Sequence, residues 1–216
     1  NLSRVKKIAW YAQQGFDVLL GFRGQKGAGK GWNIPNRQRM TPEEAAAKAQ
    51  AAHRQTNTVL LCGERSTPFN SVGLLVVDVD IKNARTDQER NECHQALEDL
   101  LGSDVYHQAT VTSASGGLHY YIAVPQHQAH LIPNSKKISL ASGEEYIRPS
   151  VNGNGGKVKA WELELLCNCL VQAIPSTVDG KEYTLNTGII QQEIPPLVVA
   201  LIEEHLQPKD EPEAEK

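Results

Sequence analysis

The sequence is poor in residues that staple a fold or span a bilayer. Its four cysteines, at 62, 93, 167 and 169 of 216 residues, follow no disulfide-framework spacing, so reduced thiols are expected. Cys167 and Cys169 alone cannot complete a tetrahedral zinc site, and no structural zinc is expected. No apolar run approaches the roughly 20 residues of a membrane span. The opening residues lack the charged-then-apolar pattern of a secretory signal. A cytoplasmic protein with no membrane partner is the expectation. No internal repeat is apparent.

What is there fits a globular fold: 40% hydrophobic and 22% charged residues, enough for one domain or two small ones. The formal net charge of −3 argues against a protein whose whole surface binds nucleic acid. The charge is unevenly placed. Residues 1–40 carry eight Lys or Arg (4, 6, 7, 23, 26, 30, 37 and 39) and one acid, Asp17. From Glu203 onward there are six acids and two lysines. A folded unit over 1–206 is expected, followed by an acidic, disordered linker over 207–216 that points to a longer parent chain.

Local signals place the elements. Ser3 caps a helix from Arg4 to Gln14 that Gly15 stops, and Phe16 to Leu20 reads as a strand. The basic loop from Gly21 to Met40 contains the glycine–lysine spacing of a phosphate-binding P-loop between Gly24 and Lys30. Gly31 stands where that motif needs Ser or Thr, and Trp32 to Pro35 follows instead of a helix, so the P-loop is rejected. A cationic loop that meets phosphates remains. Thr41, Pro42 and Glu44 form a capping box for a helix to about Arg54. Strands are expected over 57–62, 105–112, 118–124 and 158–166, with short ones near Ile138 and over 145–148. Helices are expected over 87–101 and 196–206. Leu170 to Ile174 is expected to return from a turn at Asn168 as the hairpin partner of 158–166. The mixed order predicts an α+β fold, with a largely antiparallel sheet flanked by helices.

The centre of this pattern is Gly73 to Asp80, an aliphatic strand ending in Asp78-Val79-Asp80. Side chains alternate along a strand, so the two carboxylates share a face, about 7 Å apart at Cα. Such a pair either holds a hard divalent cation such as Mg²⁺ or Mn²⁺ or simply solubilises a strand end. Gly116 and Gly117, with Ser113 and Ser115, form a turn whose backbone N–H groups can meet an anion. His119 follows it, as a phosphate ligand or as an ordinary structural histidine. Glu162 and Glu164 share a strand face and are either metal ligands or solvent-facing acids. Glu145 is a further candidate.

The ordered set (a strand with Asp78-Val79-Asp80, one with Gly117-Leu118-His119, then one with Glu164) resembles the archaeo-eukaryotic primase superfamily. The similarity is to the prim-pol domains of plasmid and phage replication proteins, and it covers about residues 8 to 200. The segment from Tyr11 to Val18 is similar to the family's opening helix and strand, and Pro175-Ser176 through Tyr183 to its closing segment. A Cys/His zinc element found in some relatives is missing.

The resemblance implies an archaeo-eukaryotic primase-like fold and a template-dependent nucleotidyltransferase that synthesises and extends primers. It implies two divalent ions, Mg²⁺ or Mn²⁺, on Asp78, Asp80 and Glu164, with Glu162 and Glu145 as alternatives for the third position. His119, with Ser113, Ser115, Gly116 and Gly117, would hold the triphosphate of a dNTP or NTP, and Arg148 and Lys30 would be further phosphate contacts. Single-stranded DNA template and primer would be the partners, with a helicase domain possible in the full-length protein. A metal-dependent nuclease and a non-catalytic DNA-binding module are the rival classes.

Overall fold

The computed structural model describes residues 3–28, 32, 37–52, 56–148 and 156–207. Its helices are α1 (Arg4–Gln13), α2 (Pro42–Ala51), α3 (Asp87–Leu101), α4 (Ser103–Tyr106) and α5 (Pro196–Leu206). The first strands are β1 (Asp17–Phe22), β2 (Thr56–Leu61), β3 (Gly73–Asp80), β4 (Val111–Thr112), β5 (Leu118–Val124), β6 (Lys137–Ser142) and β7 (Glu145–Arg148). They are followed by β8 (Gly156–Lys159), β9 (Glu162–Leu166), β10 (Leu170–Ala173), β11 (Thr177–Val178), β12 (Lys181–Glu182), β13 (Thr184–Leu185) and β14 (Ile190–Gln191).

The main sheet has the order β13-β4-β5-β3-β9-β6, with β14 added in parallel on β5. Every other pairing in it is antiparallel, so the expected α+β class holds. Alternation along β3 divides the interior. Leu75, Val77 and Val79 face α3 and α5, and pack with Tyr120, Ile122, Leu163 and Leu165 from the neighbouring strands. Leu74 and Val76 face the opposite way, toward Ile8 and Tyr11 of α1, Ala45 and Ala49 of α2, and a smaller sheet of order β1-β2-β10. Burying each large aliphatic side chain contributes about 1.5–3 kcal/mol. Two cores on opposite faces therefore fix which side of β3 each residue takes.

The helix signals act as their chemistry requires. Thr41 and Glu44 close a complete capping box on α2, and Thr86 with Glu89 closes another on α3. Cys93, Leu97, Leu100 and Leu101 form the buried stripe of α3.

Three expectations are corrected. The segment 105–112 is not one strand: α4 follows Gly102, and only Val111 and Thr112 pair. The segment 158–166 is two strands, β8 and β9, separated at Ala160 and Trp161. The segment 170–174 pairs with β2 rather than returning on β9. β9 already lies between β3 and β6, so neither of its edges is free for a hairpin partner. Of the linker expected over 207–216, the residues from 208 on lie outside the described residues, and among the described residues no helix is long and apolar enough to cross a membrane.

Candidate active site

The register of the main sheet lines up the acidic residues. Asp78 lies opposite His119 of β5 on one side and Glu164 of β9 on the other. One step along, Asp80 lies opposite Glu162. Because residues two apart share a face, all five project on the side that carries Leu74 and Val76. Glu162 and Glu164 share a face with each other, as expected, and the register places them on the face of Asp78 and Asp80. Glu145 is placed elsewhere: it is exposed on β7, which among the described strands pairs with β8 alone. That two-stranded ribbon continues β6 and β9 outward, through Gly143 N–H to Trp161 O and Ala160 N–H to Glu144 O.

Each carboxylate on this face has a basic partner. His119 Nε2 lies 3.2 Å from Asp78 Oδ1, Lys82 Nζ 2.5 Å from Asp80 Oδ2, Lys137 Nζ 2.5 Å from Glu164 Oε1 and Lys159 Nζ 3.0 Å from Glu162 Oε1. Burial works to raise the Asp78 carboxyl. The hydrogen bond from His119 and the charges of His119, Lys26 and Lys82 outweigh it, so the net displacement is below the usual carboxylate range. Asp78 is therefore ionised at neutral pH.

A cavity of about 120 Å³ opens beside this row. Asp78, Asp80, His119, Ser113 and Ser115 line it together with Lys26, Gly27, Gln172 and Tyr183. Ser113 to Gly117 form the β4–β5 hairpin loop, closed by Ser113 N–H to Gly117 O at 2.8 Å. Gly116 takes φ +87 there. Gly117 has a steric reason to be glycine: a Cβ would stand 2.1 Å from the carbonyl oxygen of Val79. The loop thus packs directly on the strand that carries both aspartates. His119 is buried, stacked on Tyr121 with centroids 6.4 Å apart and tilted against Tyr183 at 5.8 Å. Two buried polar atoms of lining residues, His119 Nδ1 and Gln172 Oε1, have no hydrogen-bond partner among the described residues.

Other expected contacts fall apart from this cavity. Glu164 neighbours Asp78 in the ladder, yet Lys137 holds its carboxylate and it does not line the cavity. Arg148 is exposed at the end of β7, also outside the lining. Lys30 lies outside the described residues. Lys26, from the same glycine-rich loop, reaches the cavity instead. Its loop is anchored by Gly24 N–H to Thr177 O at 2.8 Å and by Asn57 Nδ2 to Gln25 O at 3.0 Å. The loop's composition pointed to phosphate contact; which lysine reaches inward depends on these long-range anchors. Gln172, an amide in β10, carried no sequence signal, and Tyr183 entered only as the end of the segment similar to the family's closing one.

Hard carboxylate oxygens on one sheet face suit Mg²⁺ or Mn²⁺. Among the described residues, the side chains as they stand form no ready cluster of three or more metal-binding groups. The donor set nevertheless fits a cation: four acids share one face, and the exposed lysine partners Lys82 and Lys137 can swing aside.

A carboxylate-lined cavity beside a glycine–serine turn and a lysine with no ion pair among the described residues suits the handling of phosphate groups. The sequence comparison agrees: the family model for the bifunctional DNA primase/polymerase, N-terminal domain matches residues 8–197. The chain belongs to that family, whose name implies DNA and nucleotides as partners. A comparison with curated proteins finds no match.

Proposed function

We propose that the chain synthesises primers and extends them on a DNA template, with Asp78, Asp80 and Glu164 holding two divalent cations, Mg²⁺ or Mn²⁺. When bound, such ions lower the pKa of an attacking primer hydroxyl and neutralise charge on the departing pyrophosphate. The observation that carries this reading is the cross-strand row. β3 sets Asp78 directly opposite Glu164, with Asp80 two residues along on the same face. For Glu164 to join the aspartates, its carboxylate leaves Lys137, an exposed side chain that relocates at little cost.

The remaining groups position the nucleotide. Ser113 and Ser115 offer hydroxyls at the cavity wall, Lys26 offers an ammonium, and His119 orients Asp78 while closing the wall with Tyr183. Together they favour a triphosphate and hold its α-phosphate against the carboxylate row. Catalysis of this kind is mainly positioning and electrostatics.

Incubating the protein with a primed template, dNTPs and Mn²⁺ tests the reading. Template-directed extension is expected. Degradation of the primer would establish a nuclease, and retardation without any product would leave only a DNA-binding module.

A further inference from the structure

The described cations of residues 1–40 do not form one uniform face. Arg37 and Arg65 clamp the fully buried Asp17, and Arg39 bonds Gly15 O and Thr67 Oγ1. Those two N-terminal arginines hold the fold together. Arg4, Lys7 and Arg23 gather elsewhere, around a pocket of about 600 Å³ whose other walls come from Thr56 and the 174–185 segment. Arg4 and Lys7 are one turn apart on α1 and so share a face. Arg23 follows β1 directly. Arg4 is held in place by its guanidinium bond to Thr56 O at 2.8 Å. Burial, and then the charge of Arg23, push the Arg4 guanidinium below its ordinary value, as expected of like charges kept close.

We propose that this pocket is a subsite for the sugar–phosphate backbone of single-stranded nucleic acid, with Arg4, Lys7 and Arg23 as its phosphate-binding cations. The assignment rests on the polymerase reading above and gives that reading a strand path. Three lines support it. The lining holds three cations and one acid, Glu182, and Lys7 and Arg23 make no ion pair among the described residues. The pocket and the carboxylate cavity share Tyr183 as a wall residue, so the two lie side by side and one strand could serve both. Its wall also carries donors and apolar surface suited to a nucleotide unit. Thr56 Oγ1 is buried with no hydrogen-bond partner among the described residues, and Leu185 is 58% exposed beside Ile174 and Pro175. A free triphosphate offers similar charge, but it needs no second cavity beside it. A strand does.

The experiment measures binding of a fluorescein-labelled oligo(dT) single strand by anisotropy between 50 and 200 mM salt. Wild type is compared with Lys7→Gln/Arg23→Gln and with Arg4→Gln/Lys7→Gln/Arg23→Gln, each checked by its melting curve. The double variant keeps the Arg4 bond to Thr56, so it reads the subsite even if the triple variant is unstable. Each lost phosphate contact should reduce the magnitude of the log–log salt slope by about 0.7, giving roughly 1.4 for the double and roughly 2 for the triple variant. Affinity for Mn²⁺-dATP, measured without DNA, should stay as in wild type. An unchanged DNA slope in a folded double variant overturns the subsite, and if wild type still extends a primer, the polymerase reading survives that result. Lost dATP affinity with unchanged DNA binding would assign the pocket to a nucleotide triphosphate and also overturn the proposal. Wild type that neither binds nor extends DNA would remove both readings.

Discussion

The imidazole of His119 reaches across the β3–β5 ladder to Asp78, with Nε2 3.2 Å from Oδ1. The histidine expected to meet a triphosphate therefore also orients the first aspartate, and its removal should act on both terms. His119→Ala should raise the KM for nucleotide and lower kcat. Loss of one charged hydrogen bond of about 1.5–3 kcal/mol gives a combined fall of roughly 10- to 150-fold in kcat/KM. Oligo(dT) affinity without nucleotide should stay constant. Steady-state kinetics beside anisotropy separates the two, and a fall in DNA affinity alone would move His119 to the nucleic-acid surface.

Lys26 lines the carboxylate cavity and forms no ion pair with a described residue. As a phosphate ligand it should be replaceable by arginine but not by alanine. Lys26→Ala is expected to raise nucleotide KM roughly tenfold, consistent with a charged contact of about 1.5 kcal/mol. Lys26→Arg should recover most of it. Equal KM in both variants would mean that the lysine only lies near the site.

Gly117 is fixed by the Val79 carbonyl, which a Cβ would meet at 2.1 Å. Gly117→Ala should therefore move the loop off β3 or distort the strand that carries Asp78 and Asp80. Overpacking of this kind costs about 1–3 kcal/mol, a fall of roughly 2–12 °C in Tm for a chain this size. Nucleotide addition should fall even where the protein remains folded. A variant with wild-type Tm and activity would show that the close contact is not required.

Asp17 is fully buried between Arg37 and Arg65, at 2.6 and 2.9 Å. Asp17→Asn leaves both cations with a neutral partner. Breaking a buried pair costs about 3–5 kcal/mol, and because both arginines are partly exposed the lower end applies. Calorimetry should show a Tm lower by roughly 6–12 °C, with nucleotide addition at low temperature preserved. A Tm within a degree of wild type would contradict the clamp.

Much of this arrangement was legible in the chain because it is local. The aliphatic run into Asp78 and Asp80, the turn before His119 and the Thr41 cap are each set by neighbours in sequence. Pairing is not local. β10 begins only four residues after β9 ends, yet it joins β2, because β3 and β6 already occupy both edges of β9. The same limit applies to the site. Nothing within the glycine-rich loop indicates that Lys26 reaches the cavity, since its inward course depends on Asn57 and Thr177. The basic N-terminal third likewise divides by tertiary position. Arg37 pairs with a buried acid, while Arg4, Lys7 and Arg23 share a pocket.

The central claim is that Asp78, Asp80 and Glu164 act as one metal-binding row, and the ranking of three glutamates tests it most directly. Only Glu164 lies opposite Asp78; Glu162 lies opposite Asp80, and Glu145 is exposed on the outer ribbon. The measurement is single-turnover dNTP incorporation on a primed template with Mn²⁺, for Glu164→Gln, Glu162→Gln and Glu145→Gln. A metal-bridging carboxylate stabilises the transition state by several kcal/mol, so Glu164→Gln should lose on the order of a thousandfold in rate. Glu162→Gln should lose far less, and Glu145→Gln should match wild type. Wild-type incorporation by Glu164→Gln, with the loss falling on Glu162→Gln or Glu145→Gln instead, would contradict the assignment.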